Sequence, residues 1–319
     1  MLSRTRALWS LVREIDLKTI QTEALRGFRI GVASDSPELG AAVARVLTGD
    51  AAGPIHPWID LVHGRAADGG RDWLLSLVVS SSPDLTSELA DFRDVCARAG
   101  VAVGVFVVGD VHASQLAVRE HERVRVGGAT VDAATVERLV AALLDAVPGL
   151  PEVALARQLP GTRGAVFSRL IELTSRANAT YALTAAVAET MPIVSVPLNV
   201  ADIVVLTKNQ LVMAYKIALG AGKSGQPRDL LGEIVGVLGS GFLFRQGARQ
   251  LVGLIPVVGI LPKVAIAYAG TWAVGQATVA WATKGGAVTA DAVKRFYEDA
   301  RRRSREVAVH LLRQRRTGK

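Results

Sequence analysis

A chain of 319 residues, half of them hydrophobic but only 5% aromatic, has material for about two domains and draws its apolar weight from Ala, Val, Leu and Ile. Its net charge of +8 is concentrated: residues 301–319 hold seven Arg, one Lys and a single Glu, so the body is nearly neutral, which argues against a wholly basic nucleic-acid-binding domain. The single cysteine, Cys96, excludes an intramolecular disulfide and suits a small buried position in a reducing cytosol.

Residues 4–26 read as an amphipathic helix, with Leu8, Leu11, Val12 and Ile15 at i, i+3, i+4 and i+7 among Arg4, Arg6, Arg13, Glu14 and Lys18. Such a helix packs on a neighbouring domain or lies on a membrane surface. Charges run through this segment, and no apolar stretch of signal-peptide length is expected there. Residues 28–34 predict a strand. Ser34, Ser36, Pro37 and Glu38 then supply the caps, first-turn proline and first-turn acid of a helix reaching about Leu47. Further strands are expected at 59–62, 73–80, 101–108 and 123–126, with helices over 85–99 and 131–147. The continuously apolar run at 73–80, WLLSLVVS, suits a strand buried on both faces. The alternation predicts an α/β fold, a doubly wound, mainly parallel sheet, over 28–147 after an N-terminal helix at 1–27.

In such a sheet ligands bind at the carboxyl ends of the strands, so phosphate chemistry is sought in the loop after the first one. A phosphate loop needs glycines to let backbone N–H groups wrap the phosphates, a lysine to reach the outer ones, and a Ser or Thr for magnesium. The loop at 33–40, ASDSPELG, has no lysine and no glycine before Gly40; its proline removes an amide donor, and Asp35 and Glu38 repel phosphate. The order of elements nevertheless resembles an Era/TrmE-type small GTPase. Val107-Val108-Gly109-Asp110 stands where that family carries its guanine-reading Asn-Lys-x-Asp, and only Asp110 matches. Asp60 and Gly64 stand one residue too far apart for its Asp-x-x-Gly. The resemblance implies a pseudo-GTPase with no catalytic residue and no cofactor. Asp35, Asp60 and Asp110 are the candidates if GTP and magnesium do bind.

Pro148, Pro151, Pro160 and Gly161 punctuate an expected linker over 148–162. An all-α, glycine- and alanine-rich helical domain is expected over 163–290. Its first helix covers 163–188. An apolar segment with Pro192 and Pro197 leads into a helix capped by Asn199 or Asp202 and running to Leu219. A glycine-studded helix follows over 229–250, then a turn at 253–262. The last apolar helix starts after Pro262, with Ala265, Ala269, Ala273 and Ala277 forming the kind of small-residue ridge that lets backbones approach closely. Pro192, Pro197, Asp202, Leu206-Thr207-x-Asn209-Gln210, Met213-x-Tyr215, the Gly253-x-x-Pro256-x-x-Gly259 turn and Thr271 to Gly275 together resemble a bacterial domain of unknown function that follows Era/TrmE-like GTPase domains. The likeness covers about 155–285. It implies partnership with a GTPase module and membrane association, and supplies no reaction. Structural or interface roles are expected of Asp202, Asn209, Gln210, Pro256, Gly259, Pro262 and Gly275.

Residues 264–283 carry no charge, over a length that spans a bilayer, with Lys263, Trp281 and Lys284 as interfacial anchors. Against spanning, the segment is rich in Ala, Gly and Thr. Its expected partner carries Glu233, Arg245 and Arg249, and a charge at mid-membrane costs roughly 2.5–3.5 kcal/mol. An integral hairpin and a buried soluble one both stay open. The basic helix or tail at 291–319 offers Arg301, Arg302, Arg303, Arg305, Arg313, Arg315 and Arg316 to anionic lipid, at about 1 kcal/mol per residue, or to nucleic acid, for which the tail itself holds no stacking platform. His56, His63, His112, His121 and His310 are scattered, without metal-ligand spacing, and no Gly-x-Ser-x-Gly elbow occurs. The composite expectation is a non-catalytic, pseudo-GTPase-type scaffold or regulator with a membrane-associated helical domain. It would sit on the cytoplasmic side of the cell membrane or in the cytoplasm, with a protein partner or a second copy of itself. A divergent GTPase or other nucleotide hydrolase, and a nucleic-acid binder acting through the tail, are the alternatives.

Overall fold

The structure is a computed structural model that describes residues 15–62, 72–188, 200–239, 260–286 and 288–316. The chain divides into two units, Thr22–Val166 and, on either side of it in sequence, residues up to Gln21 and from Phe167 onward.

The first unit is built on five strands: β1 Ile30–Ser34, β2 Ile59–Val62, β3 Leu75–Ser80, β4 Ala102–Val108 and β5 Val124–Gly128. All pair in parallel, in the order β2-β1-β3-β4-β5. Val32 lies opposite Leu61 on one side and Leu77 on the other. The chain leaves β1 to one side for β2, then returns across it to β3, so a switch point falls at the carboxyl ends of β1 and β3. Every residue of β3 is buried, which is why its sequence carries no polar alternation.

Helix α1, Leu17–Ala24, precedes the sheet, and its residues up to Gln21 belong to the second unit; α2 Pro37–Thr48, α3 Ser87–Arg98 and α4 Ala133–Ala146 follow β1, β3 and β5. Ser36 Oγ accepts from the Leu39 N–H at 3.3 Å, Thr86 Oγ1 from Leu89 at 3.4 Å, and Asp132 Oδ1 from Thr135 at 2.8 Å. These caps satisfy amides that the first turn leaves without partners. Helices α2 and α4 touch each other on one face of the sheet, while α3 packs Leu89, Phe92 and Cys96 against Val78, Val103, Val105 and Val107 on the other. Cys96 is a buried thiol.

The stretch read as a linker is folded. It holds α5 Glu152–Gln158 and a 3-10 turn at Pro160–Thr162, with Val153, Ala154, Leu155 and Leu159 buried. Pro151 and Pro160 fall at the starts of these elements, where a missing N–H breaks no bond.

The second unit is helical: α6 Arg163–Ala188, of which residues before Phe167 belong to the first unit, α7 Val200–Gly220, α8 Pro227–Gly239, α9 Ile260–Lys284 and α10 Ala290–Arg316. Helix α9 starts before Pro262, not after it. Pro262 occupies the first turn, where its lack of an N–H is tolerated. Gly275 faces α6 so closely that a Cβ there would overlap Ile171. Val264 and Tyr268 of α9 pack with Ala179 and Leu183 of α6 and Ala308 of α10. The basic segment, expected as a helix or tail, is a 27-residue helix with Val293, Ala300, Ser304 and Ala308 buried along one side. Among the described residues no helix is long and apolar enough to cross a membrane. Helix α9 has the length, but its Ala, Gly and Thr content keeps it too polar. Pro192, Pro197, Arg245, Arg249, Pro256 and Gly259 lie outside the described residues, as does residues 4–14 of the expected first helix.

Candidate functional site

At the switch point, Asp35 follows β1 directly. Its Oδ2 accepts from Ser80 Oγ at 3.0 Å, the Ser81 N–H at 2.7 Å and Ser81 Oγ at 2.9 Å. Its Oδ1 is buried without a protein partner. Ser80 Oγ in turn accepts from the Ser82 N–H, and Ser34 Oγ from the Ser36 N–H, both at 3.2 Å. Of the amides a phosphate would need at the start of α2, Pro37 has none and Leu39 already donates to Ser36. Ser36 also donates to Glu38 at 2.7 Å, and this bond holds the Glu38 carboxyl below its ordinary value. The place where other sheets of this topology take a phosphate is occupied by this chain's own hydroxyls and carboxylates.

The other two candidate carboxylates do not join it. Asp60 stands within β2 opposite Gly31, toward the amino end of β1. It accepts from Arg29 Nε at 2.9 Å, from Arg29 Nη2, and from Trp73 Nε1 at 2.8 Å. The Arg29 bond chiefly, with Trp73 in support, keeps the Asp60 carboxyl below its ordinary value against the opposing effect of burial. Asp60 is thereby a structural tie. Asp110 is exposed in the loop after β4. Among the described residues no group of three or more His, Cys, Asp or Glu is placed to hold a metal ion.

A buried charge cluster under α3 carries no signature in the sequence. Arg125 donates to both oxygens of Glu122, at 2.9 and 2.6 Å, and to the Pro83 carbonyl at 2.8 Å. Both side chains of the pair are fully buried, and Arg93 Nη1 stands 3.6 Å from Glu122. Burial pushes the Glu122 carboxyl up, but the bonds from Arg125 and the Arg119 N–H outweigh it, and the net shift is downward. Asp94 links Arg93, at 2.7 Å, to His121, at 3.0 Å. With every charge turned onto another, the cluster is suited to holding loops together.

In the helical unit, Asn209 and Gln210 donate hydrogen bonds to neighbouring helices. Asn209 Nδ2 donates to Asn178 Oδ1 at 2.8 Å; Asn178 Nδ2 donates to Thr271 Oγ1 at 2.9 Å and to the Leu206 carbonyl at 3.3 Å; Gln210 Nε2 donates to Thr271 Oγ1 at 3.1 Å. The network joins α6, α7 and α9. Asp202 lies in the first turn of α7. Nearby on α9, Tyr268 donates to Glu172 Oε2 at 2.5 Å and stacks on Trp272, and the Arg303 guanidinium stands 5.2 Å from the Trp272 ring centroid. Arg301, Arg302, Arg303, Arg305, Arg313 and Arg315 are exposed along α10, and Arg316 lies in its last turn. Two adjoining hollows, of about 650 and about 410 Å³, open beside this helix.

Comparison with known protein families, with curated proteins and with solved structures finds no match.

Proposed function

We propose that this protein is a non-catalytic scaffold or regulator of pseudo-GTPase type that associates peripherally with the cytoplasmic face of the cell membrane. The observation that carries the membrane part is α10, a long helix with one buried side and arginines exposed along the rest. Such a helix is attracted to anionic lipid by about 1 kcal/mol per basic residue near the surface. The non-catalytic part rests on the switch point, where Asp35 and its serines stand in the place of a phosphate cradle. The parallel α/β sheet is of the fold class this reading requires, and the Asn209, Gln210 and Thr271 network gives a packing role to residues on which the resemblance rests. The test is flotation of the full chain with neutral and anionic vesicles, together with carbonate extraction of cell membranes. Release by carbonate and binding to anionic vesicles alone is expected; resistance to carbonate, or indifference to anionic lipid, sinks the peripheral reading.

One observation favours a second reading, a divergent nucleotide hydrolase: the buried, unpartnered Oδ1 of Asp35. That reading requires saturable heat on titration with GTP and magnesium. Absence of heat and of thermal stabilisation at millimolar nucleotide removes it.

A further inference from the structure

We propose that the hollows along α10 form a headgroup site for an anionic phospholipid carrying more than one negative charge. This rests on the peripheral-membrane reading and gives it a partner and a place. The smaller hollow is lined by Glu298, Arg301, Arg302 and Arg305. Arg301 and Arg305 stand four positions apart, roughly 6 Å along the axis, with Arg302 beside them, so three guanidiniums share about one helical turn. Glu298, the single acid of this hollow, lies 3.9 Å from Lys294. Among the described residues no ion pair neutralises Arg301, Arg302 or Arg305. Concentrated, unpaired positive charge in a concavity is complementary to a multiply charged phosphate group, whose oxygens the guanidinium fork fits.

The larger hollow shares Glu298 and Arg302 with the smaller and adds Trp272, Phe296, Asp299 and Arg303. Its two acids oppose a free anion there. Its aromatic residues, both half-buried, suit the boundary between headgroup and acyl chain, where amphipathic rings gather. The arrangement therefore seats phosphate over Arg301, Arg302 and Arg305, with the glycerol side of the lipid toward Trp272 and Phe296. Nucleic acid fits less well, because Trp272 stacks on Tyr268 at 6.0 Å and holds Arg303 over its ring instead of presenting an open platform.

The test uses the full chain and vesicles of phosphatidylcholine doped either with phosphatidylglycerol, of one charge, or with cardiolipin, of two, matched for total surface charge. Tighter binding to the cardiolipin vesicles is expected. Arg301→Gln with Arg305→Gln should abolish that preference and weaken binding on the order of tenfold. Arg313→Gln with Arg315→Gln removes the same charge from the same helix and should weaken both vesicle types alike, leaving the preference in place. Thermal unfolding of both variants checks that neither has lost its fold. If the wild type shows no preference, or if the two double variants behave alike, the site is overturned while diffuse association stands. If the wild type ignores every anionic vesicle, both readings fall. Binding of single-stranded RNA in the absence of vesicle binding also overturns the lipid site.

Discussion

Trp73 lies across Gly31. A Cβ at Gly31 would run into Cε3 and Cζ3 of the ring, and the ring is held from its other end by the 2.8 Å bond from Nε1 to Asp60. It has no free direction in which to retreat. Gly31→Ala should therefore cost the α/β unit about 1–3 kcal/mol through overpacking, read as a lower denaturant midpoint at unchanged slope.

The Glu122–Arg125 pair predicts strong non-additivity. Arg125→Met leaves a buried carboxylate with only Arg93, 3.6 Å away, to balance it, and should cost about 3–5 kcal/mol. Arg125→Met combined with Glu122→Leu should recover much of that loss. The acid limb follows from the depressed Glu122 pKa. Its contribution is complete above the ordinary value of 4.5 and disappears as pH falls through the lower folded value. The wild type should thus lose melting temperature below about pH 4.5 more steeply than the double variant.

Asn178 ties three helices at once. Asn178→Ala strands the amide of Asn209 and removes a donor from Thr271. A loss of about 2–4 kcal/mol is expected from unpaired polar groups and the space left behind. Thr271→Ser, which keeps the hydroxyl, should lose only about 1 kcal/mol. Thermal unfolding of the two variants side by side makes the comparison.

Tyr268 sets an alkaline limit. Burial first, then its hydrogen bond to Glu172, raises the phenol above its ordinary value of 10. Stability from this group is complete below that value and is lost as pH rises toward the higher folded pKa. Tyr268→Phe cannot ionise. It should lower stability at neutral pH by about 1 kcal/mol and flatten the alkaline limb, followed by circular dichroism across a pH series.

The parallel sheet was legible because burial on both faces leaves continuous apolar runs. The segments at 59–62, 73–80, 101–108 and 123–126 match β2 to β5 closely. Helix starts were legible where a cap side chain marked them, as at Ser36. Proline misled twice for one reason: at Pro160 and Pro262 it opens an element that it was expected to end or precede. The site was less open to reading. The loop at 33–40 announced that it lacks phosphate-binding parts, but what fills the place comes from Ser80 and Ser81, some 45 and 46 positions on, and no local period encodes such a pairing. Glu122 and Arg125 are two charges three residues apart with no pattern in the sequence that marks them for burial. Their burial depends on α3 and the Pro83 loop closing over them. That Asn209 and Gln210 need partners was readable, because they are polar amides in an apolar helix; which residues accept from them, Asn178 and Thr271, was not.

The tie between Asp35 and Ser81 also bears on how the protein folds. It closes a loop of 46 residues, and that closure must be complete before its hydrogen bonds can form. Bonds made after the rate-limiting step slow unfolding and leave the folding rate nearly untouched. Asp35→Ala should accordingly raise the unfolding rate in stopped-flow experiments while refolding proceeds almost as before. On that outcome the carboxyl edge of this sheet would help to set the lifetime of the folded α/β unit, through the bonds that hold the end of β3 to the residue after β1.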